Sequence, residues 1–248
     1  MSERSGANRP FWFDITLLVL ATALFLTLVG LGNWQIRRLD WKLDLVEAVE
    51  TRASNTPVAP PSDRVSADDH AYLRVFIKGV FRQDLSYLVK AVTGIGLGYW
   101  LMTPLRTDRG HVWVNRGFVL TGAMTAEITE PVGVLRIEGL LRISEPGGTM
   151  LESNDPQAGR WYSRDVHALS EHAGLNDAAP YFIDADHMGD PNKWPRGGLT
   201  ILTFQNPHLV YALTWYTMAA LFLGAMVYVI RGRRGGRRQN NDRDPPDA

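Results

Sequence analysis

The sequence contains no cysteine. This absence excludes disulfides, cysteine-ligated zinc, iron–sulfur clusters and thiol catalysis, and it is compatible with an oxidising compartment without requiring one. No P-loop, Gly-x-Ser-x-Gly elbow or dinucleotide fingerprint occurs. The glycines at 94, 96 and 98 have the wrong spacing for such a fingerprint and are typical of a hairpin turn. The seven methionines are scattered, which argues against a soft copper site.

The histidines and carboxylates of the middle segment also lack a convincing metal-binding pattern. His167 and His172 have neither the spacing nor the adjacent glutamate of a zinc-protease helix. The run Asp184-Ala185-Asp186-His187 has suitable ligand types, but we interpret it as a solvated loop. We therefore expect no catalytic residue and no enzymatic activity.

Two uncharged apolar runs stand out, at residues 15–31 and 209–230. With its flanking aromatic residues, each is long enough to cross a hydrocarbon core of roughly 30 Å. A cleaved signal peptide is the alternative for the first run. However, the run exceeds the ~7–15 apolar residues of a signal sequence, and no small-x-small cleavage site follows it. We interpret it as a retained anchor.

Charge is distributed unevenly along the chain and predicts its orientation. Residues 39–208 carry 16 Lys and Arg against 21 Asp and Glu, whereas the tail from Arg231 holds six Arg and three Asp. Arginines beside a membrane helix favour the cytoplasmic side. Arg37, Arg38 and Lys42 argue for the opposite orientation, but long loops translocate largely regardless of charge. The prediction is a cytoplasmic N-terminus (1–12), a transmembrane helix (13–34), an extracytoplasmic domain (35–208), a second transmembrane helix (209–230) and a basic cytoplasmic tail (231–248).

The segment between the runs predicts a β-rich domain with a helical extension at its start. Leu39, Leu43, Val46 and Val49 recur near helical spacing, and Ser54–Pro57 predicts the end of that helix. From Tyr72 onward the apolar pattern has period two. We expect strands at 72–81, 86–92, 99–106, 111–119, 134–143 and 160–166, a short helix at 167–173 and a last strand at 181–184.

Short turns between neighbouring strands imply antiparallel pairing, and closure of the sheet into a barrel would remove its exposed edges. The predicted fold class is a membrane protein in which two transmembrane α-helices anchor an antiparallel, β-rich, barrel-like α+β domain outside the cytoplasm. Small residues predict where the two helices pack closely. They are Gly30 and Gly32 on the first helix and Ala212 and Ala219 on the second.

A candidate cofactor site lies where the second run begins. His208 directly precedes the run, and helical spacing places Tyr211 and Trp215 on its face. An imidazole is a normal axial ligand of haem iron, and arginine at the headgroup boundary suits carboxylates. An interfacial histidine with snorkelling arginines is the plain alternative. At the same level of the membrane the first helix offers Trp34, Gln35 and Arg38.

Six blocks carry a further signal: LGNWQIRRLDWK at 31–42, PL at 104–105, VWVNRGF at 112–118, residues 139–145, WYSRD at 161–165 and NPHLVYALTWY at 206–216. In this order around two apolar helices, they resemble the surfeit-locus-one family of cytochrome c oxidase assembly factors. The resemblance runs from about residue 12 to residue 231. Phe118, where the family often has tryptophan, is a mild departure. We interpret Asn115-Arg116-Gly117 as a strand that ends in a tight turn.

The resemblance implies a role in building an aa3-type haem-copper oxidase. The protein would then span a bacterial inner membrane twice, with both termini cytoplasmic and the main domain periplasmic. It would bind haem A transiently, with His208 at the family's proposed iron-ligand position. The implied partners are the catalytic oxidase subunit, the lipid bilayer and, as a further candidate, haem A synthase; we expect no nucleic acid. The alternative function is a membrane scaffold that stabilises an assembly intermediate and never ligates haem.

Overall fold

The structure, a computed structural model, describes residues 11–61, 65–123, 128, 130–149, 151–190, 192–200 and 206–241. The first ten residues of the predicted cytoplasmic N-terminus and residues 242–248 of the predicted tail lie outside the described residues. The chain divides into two compact units. One comprises Met1–Leu45 with Phe204–Ala248, and the other comprises Val46–Thr203.

The described elements largely follow the sequence pattern. The helices are α1 (Phe11–Ser54), α2 (Ala67–His70), α3 (Val166–Ala173) and α4 (His208–Asn241), with two short 3₁₀ turns at Gln83–Leu85 and Thr121–Ala123. The strands are β1 (Arg74–Phe81), β2 (Tyr87–Thr93), β3 (Gly96–Thr107), β4 (Gly110–Leu120), β5 (Leu135–Ile143) and β6 (Ala178–Ala185).

The two long helices have the length and composition of membrane spans. α1 passes through the first apolar run without a break and ends at Ser54, as predicted. α1 and α4 are each long and apolar enough to cross a bilayer, and only 6% of each apolar window is buried. The threonines of the two runs each donate to the carbonyl four residues earlier, so their hydroxyl hydrogens do not require water. They are Thr16, Thr22, Thr27, Thr214 and Thr217.

The second unit is a closed five-stranded barrel. Its sheet order is β1-β5-β6-β4-β3-β2, and an additional pairing of β1 with β3 closes the ring. That closure joins Val80 to Arg106 and Phe81 to Leu105. β2 stays outside the ring as the hairpin partner of β3, with Gly94 and Ile95 as the two-residue turn that the glycine spacing predicted.

Alternate residues along the strands build two separate cores. The barrel interior is filled by Val75, Ile77, Leu105, Val114, Leu141 and Ile183, among others. The opposite face of the sheet packs against α3, and its core contains Val89, Met102, Trp113, Trp161, Leu169 and Phe182. Asp165 caps the N-terminus of α3 by accepting from the Ala168 amide, and Gly174 ends the helix in the left-handed conformation.

Two predictions about the strands were wrong. Residues 160–166 do not form a strand, because the Asn154 side chain accepts the Tyr162 and Ser163 amides that a neighbouring strand would otherwise bind. The pairing is also not wholly antiparallel: β6 lies between β5 and β4, and it runs antiparallel to β5 but parallel to β4.

The interpretation of Asn115-Arg116-Gly117 as a strand end was wrong as well. β4 continues to Leu120, and the three residues form a bulge where its pairing with β3 shifts register. The Asn115 side-chain oxygen accepts the Gly117 amide hydrogen at 3.1 Å. Gly117 has φ of 133°, and a Cβ there would lie 2.3 Å from the Arg196 carbonyl carbon, so this position requires glycine.

Candidate functional site

A hydrogen bond joins the two long helices at the predicted cofactor site. The Nδ1 atom of His208, the first residue of α4, lies 2.8 Å from Oε1 of Gln35 on α1. Gln35 is only 9% exposed, and it is the one buried polar side chain among the described residues of the helical unit. Because an amide oxygen only accepts, the proton of this bond is on Nδ1, and Nε2 is the ring nitrogen that this bond does not use.

Small residues let the helices approach each other next to this hydrogen bond, before Gln35 on α1 and after His208 on α4. Gly32 faces the ring of Tyr216, and Ala212 and Ala219 are 0% and 3% exposed. The Tyr216 hydroxyl donates to the Asn33 side-chain oxygen at 2.7 Å. The predicted contribution of Gly30 was wrong, because a Cβ at that position would have no heavy atom within 4 Å.

The other predicted site residues lie around the pair of helices rather than between them. Trp34 and Tyr211 are 54% and 53% exposed, while Trp215 is half-buried. Arg38 is exposed, with its guanidinium carbon 4.2 Å from the ring centroid of Trp41. The structure therefore brings only Gln35 to His208, and contact of Trp34, Arg38, Tyr211 and Trp215 with a cofactor stays a prediction.

These residues fit a haem ligand site. A histidine that binds metal through one ring nitrogen usually donates the other N–H to an oxygen, and the Gln35–His208 bond has this form. The exposed aromatic side chains of Trp34 and Tyr211 supply apolar surface that a macrocycle could cover. His208 is the iron-ligand candidate, with Gln35 as the residue that orients its ring.

The β-barrel unit contains a second polar cluster, which the sequence analysis missed. Asp184 is 6% exposed and accepts from Arg142 at 2.7 Å and from Arg164 at 3.0 Å. Glu145 accepts two further hydrogen bonds from Arg164. Burial alone would lower the pKa of Arg164, but the nearby carboxylates of Asp184 and Glu145 raise it above the usual arginine value.

This cluster corrects the interpretation of residues 184–187 as a solvated loop. Asp184 lies at the end of β6 within the ion pairs, and Asp186 pairs with Arg74. Among the described residues, no group of three histidines or carboxylates could hold a metal ion. The ion pairs explain why both carboxylates are present, and their arginine partners lie too far away in sequence for a local pattern to reveal the pairing.

Comparison with known proteins identifies the family. The model of the SURF1 family matches residues 22–220. The chain belongs to the SURF1 family. It is 32% identical over 234 residues to a SURF1-like protein of Monosiga brevicollis, with 88% of both chains covered. It is 31% identical to Surfeit locus protein 1 of Homo sapiens, covering 88% of this chain and 77% of that protein, and 31% identical to the Mus musculus protein, covering 84% and 72%.

The blocks that carried the resemblance meet in space. Gln35 belongs to the block at 31–42 and His208 to the block at 206–216, so the two SURF1 signatures most distant in sequence share one hydrogen bond. Likewise, the block at 139–145 supplies Arg142 and Glu145, and WYSRD supplies Arg164. The SURF1 blocks thus build two structural centres, one in each unit.

Proposed function

We propose that the protein is a membrane-anchored assembly factor for an aa3-type haem-copper cytochrome c oxidase, without catalytic activity of its own. It binds haem A transiently through His208 and aids its transfer to the catalytic subunit, with haem A synthase as a further candidate partner. The hydrogen bond between Gln35 and His208 carries this proposal, because it prepares one ring nitrogen of a histidine at the start of an apolar helix.

Each residue of this centre has a distinct task. Gln35 holds the proton on Nδ1 of His208 and fixes the direction of the ring, which leaves Nε2 as the donor atom. A bound haem would supply an iron that an imidazole such as that of His208 could ligate. Trp34, Tyr211 and Trp215 give apolar contact surface, and Arg38 suits a propionate carboxylate.

The proposal includes insertion of α1 and α4 into a bacterial inner membrane, with both termini in the cytoplasm and the barrel in the periplasm. The exposed apolar windows and the threonine hydroxyls bonded within the helices support insertion. The arginines that follow Ile230 support the orientation. Alkaline phosphatase fused after Leu120 should be active, and a fusion after Ala248 should be inactive; the reverse pattern would overturn this orientation.

The same hydrogen bond also supports a second function. A buried glutamine bonded to a histidine ties α1 to α4, so it would stabilise a scaffold that binds an assembly intermediate without ligating haem. In that case His208 is a packing residue, and its removal changes stability rather than haem content.

The two functions differ in the absorption spectrum of the purified protein. From cells that make haem A, the wild-type chain should copurify with haem, and His208→Ala should lose or shift the haem band while expression and insertion persist. His167→Ala is the matched control, because His167 is exposed on α3 of the barrel unit. Equal haem occupancy and an unchanged spectrum in His208→Ala would leave the scaffold function.

A further inference from the structure

A cavity of about 420 Å³ lies in the barrel unit, on the face of the sheet opposite the barrel interior. Its position follows from alternation along the strands: Leu141 and Ile183 point into the interior, so Arg142 and Asp184 point to the other face. The hairpin turn between β2 and β3 and residues Leu199 and Thr200 also line the cavity. Its size is within the usual range for small-molecule sites.

The acceptor capacity of Asp184 is already used. Its Oδ1 accepts from Asn115 at 2.8 Å and from Arg164 at 3.0 Å. Its Oδ2 accepts from Arg142 at 2.7 Å and from Thr200 at 3.0 Å. A carboxylate offers about four lone-pair positions, so Asp184 has none left for a cation.

The donor capacity of the two arginines is only half used. Two guanidinium groups carry about ten N–H donors. Two hydrogen bonds to Asp184 and three to Glu145 engage Arg142 and Arg164. The remaining donors belong to side chains that line the cavity and are only 17% and 12% exposed. The remaining donors of Arg142 and Arg164 therefore favour a ligand that accepts hydrogen bonds.

The other walls of the cavity are aromatic and aliphatic. The Arg164 guanidinium carbon lies 5.6 Å from the Trp100 ring centroid, and that of Arg142 lies 4.8 Å from the Tyr72 ring centroid. Tyr72 has φ of 62°, a left-handed conformation that is rare for a bulky residue and concentrated at binding sites. At the rim, Val92 and Ile95 are 75% and 41% exposed.

We propose that this cavity binds a small amphiphilic carboxylate, whose head accepts hydrogen bonds from Arg142 and Arg164 and whose apolar body lies between Trp100 and the β2–β3 turn. A planar carboxylate matches the fork of a guanidinium group. A monoanion is favoured over a phosphate dianion because Asp184 and Glu145 already neutralise the two arginines, so each added negative charge is less well compensated.

The test uses the full chain in lipid nanodiscs and isothermal titration calorimetry, with empty nanodiscs as the blank. The probes are 2-naphthoate, a planar aromatic acid, and octanoate, an aliphatic acid of the kind released from lipids. The matched alcohols 2-naphthol and octanol lack the carboxylate. At least one acid should bind saturably, and the affinity of the matched alcohol should be lower by about tenfold or more. Tighter binding of octanoate would indicate an aliphatic acid of the kind released from lipids, and tighter binding of 2-naphthoate would indicate a planar aromatic acid.

Two pairs of variants locate the site. Arg142→Gln should weaken binding by about tenfold or more, whereas Arg136→Gln, on the same strand in an exposed ion pair, should not. Val92→Asp adds a negative charge at the rim and should also weaken binding. Val134→Asp is its control, because both valines are 75% exposed and only Val92 lines the cavity.

Comparison of Val92→Asp with Val134→Asp tests the location of the site even if Arg142→Gln does not fold. Three results would each overturn the proposal. The first is that neither acid binds at concentrations up to about 5 mM, since a weaker affinity is below that of ordinary specific sites. The others are that an alcohol binds as tightly as its acid, or that Val92→Asp and Val134→Asp bind the acid equally.

Discussion

Gly32 of α1 lies against the ring of Tyr216 of α4, so that a Cβ at position 32 would come within 2.5 Å of the tyrosine Cε1. Gly30, two residues earlier, would place its Cβ in open space. The two glycines therefore have different roles, although both lie in the same apolar helix. Gly32 permits close approach of the helices, whereas Gly30 does not contribute to it.

Gly32→Leu should separate the helices near His208, at a cost of roughly 1–3 kcal/mol for an overpacked contact. Gly30→Leu, the matched control, should have little effect. The measurement uses a short bismaleimide crosslinker on Gln35→Cys/His208→Cys, in a chain that has no other cysteine. Crosslinking should be slowed by Gly32→Leu only. Equal rates in both leucine variants would show that Tyr216 moves aside without cost.

If His208 ligates haem as proposed, Gln35→Leu should weaken haem binding by about 10- to 100-fold, because Nδ1 of His208 loses the acceptor that orients it. Gln35→Glu keeps an acceptor in place and should retain most of the affinity. Arg37→Gln, an exposed neighbour, serves as the control. Haem titration followed by absorbance measures all three. If leucine and glutamate weaken binding equally, the hydrogen bond is not the cause.

Asp184→Ala should destabilise the barrel by about 3–5 kcal/mol, because it leaves the largely buried side chains of Arg142 and Arg164 without one of their two carboxylates. The control is Asp84→Ala, which breaks the exposed pair with Arg82 and should leave the unfolding midpoint nearly unchanged. Thermal unfolding followed by circular dichroism compares the variants. Similar midpoints for the two alanine variants would mean that Glu145 alone compensates the arginines.

The burial of Tyr181 should make the barrel less stable at alkaline pH. Burial raises the pKa of this tyrosine above its usual value of 10.0, so the folded state retains the phenolic proton while the unfolded chain loses it. The associated stability is present below about pH 10 and is lost as the pH rises from there toward the folded-state pKa. Tyr181→Phe removes this dependence.

Unfolding midpoints of wild type and Tyr181→Phe should therefore stay at a constant offset between pH 7 and 9. Above about pH 10 the wild-type midpoint should fall faster than that of the variant. Parallel curves across the whole range would show that Tyr181 ionises as readily in the folded barrel as in the unfolded chain.

Local chemistry explains which parts of the fold were predictable from the sequence. The end of α1 at Ser54, the turn at Gly94 and the period-two strands other than 160–166 depend on residues close in sequence, and the structure confirms them. The closure of β1 onto β3 and the parallel pairing of β4 with β6 depend on distant segments, so periodicity alone could not reveal them.

The Gln35–His208 site and the Asp184 cluster also differ in how far they could be predicted from the sequence. His208 was found because it stands beside an apolar run, and Gln35 because it lies just beyond the other run, at the same predicted level of the membrane. Asp184 has partners 42 residues away at Arg142 and 69 residues away at Asn115. No spacing rule joins such positions, and only the register of three strands places their side chains on one face.

The central position of β6 affects how the chain tolerates truncation. β6 pairs with β5 on one side and with β4 on the other, although it is the last of the described strands to be synthesised. Until Ala185 has left the ribosome, both neighbours present unpaired backbone groups, which are templates for aggregation. A nonsense or frameshift mutation that stops translation between β5 and β6 should thus yield an aggregation-prone fragment, even though it retains β1 to β5.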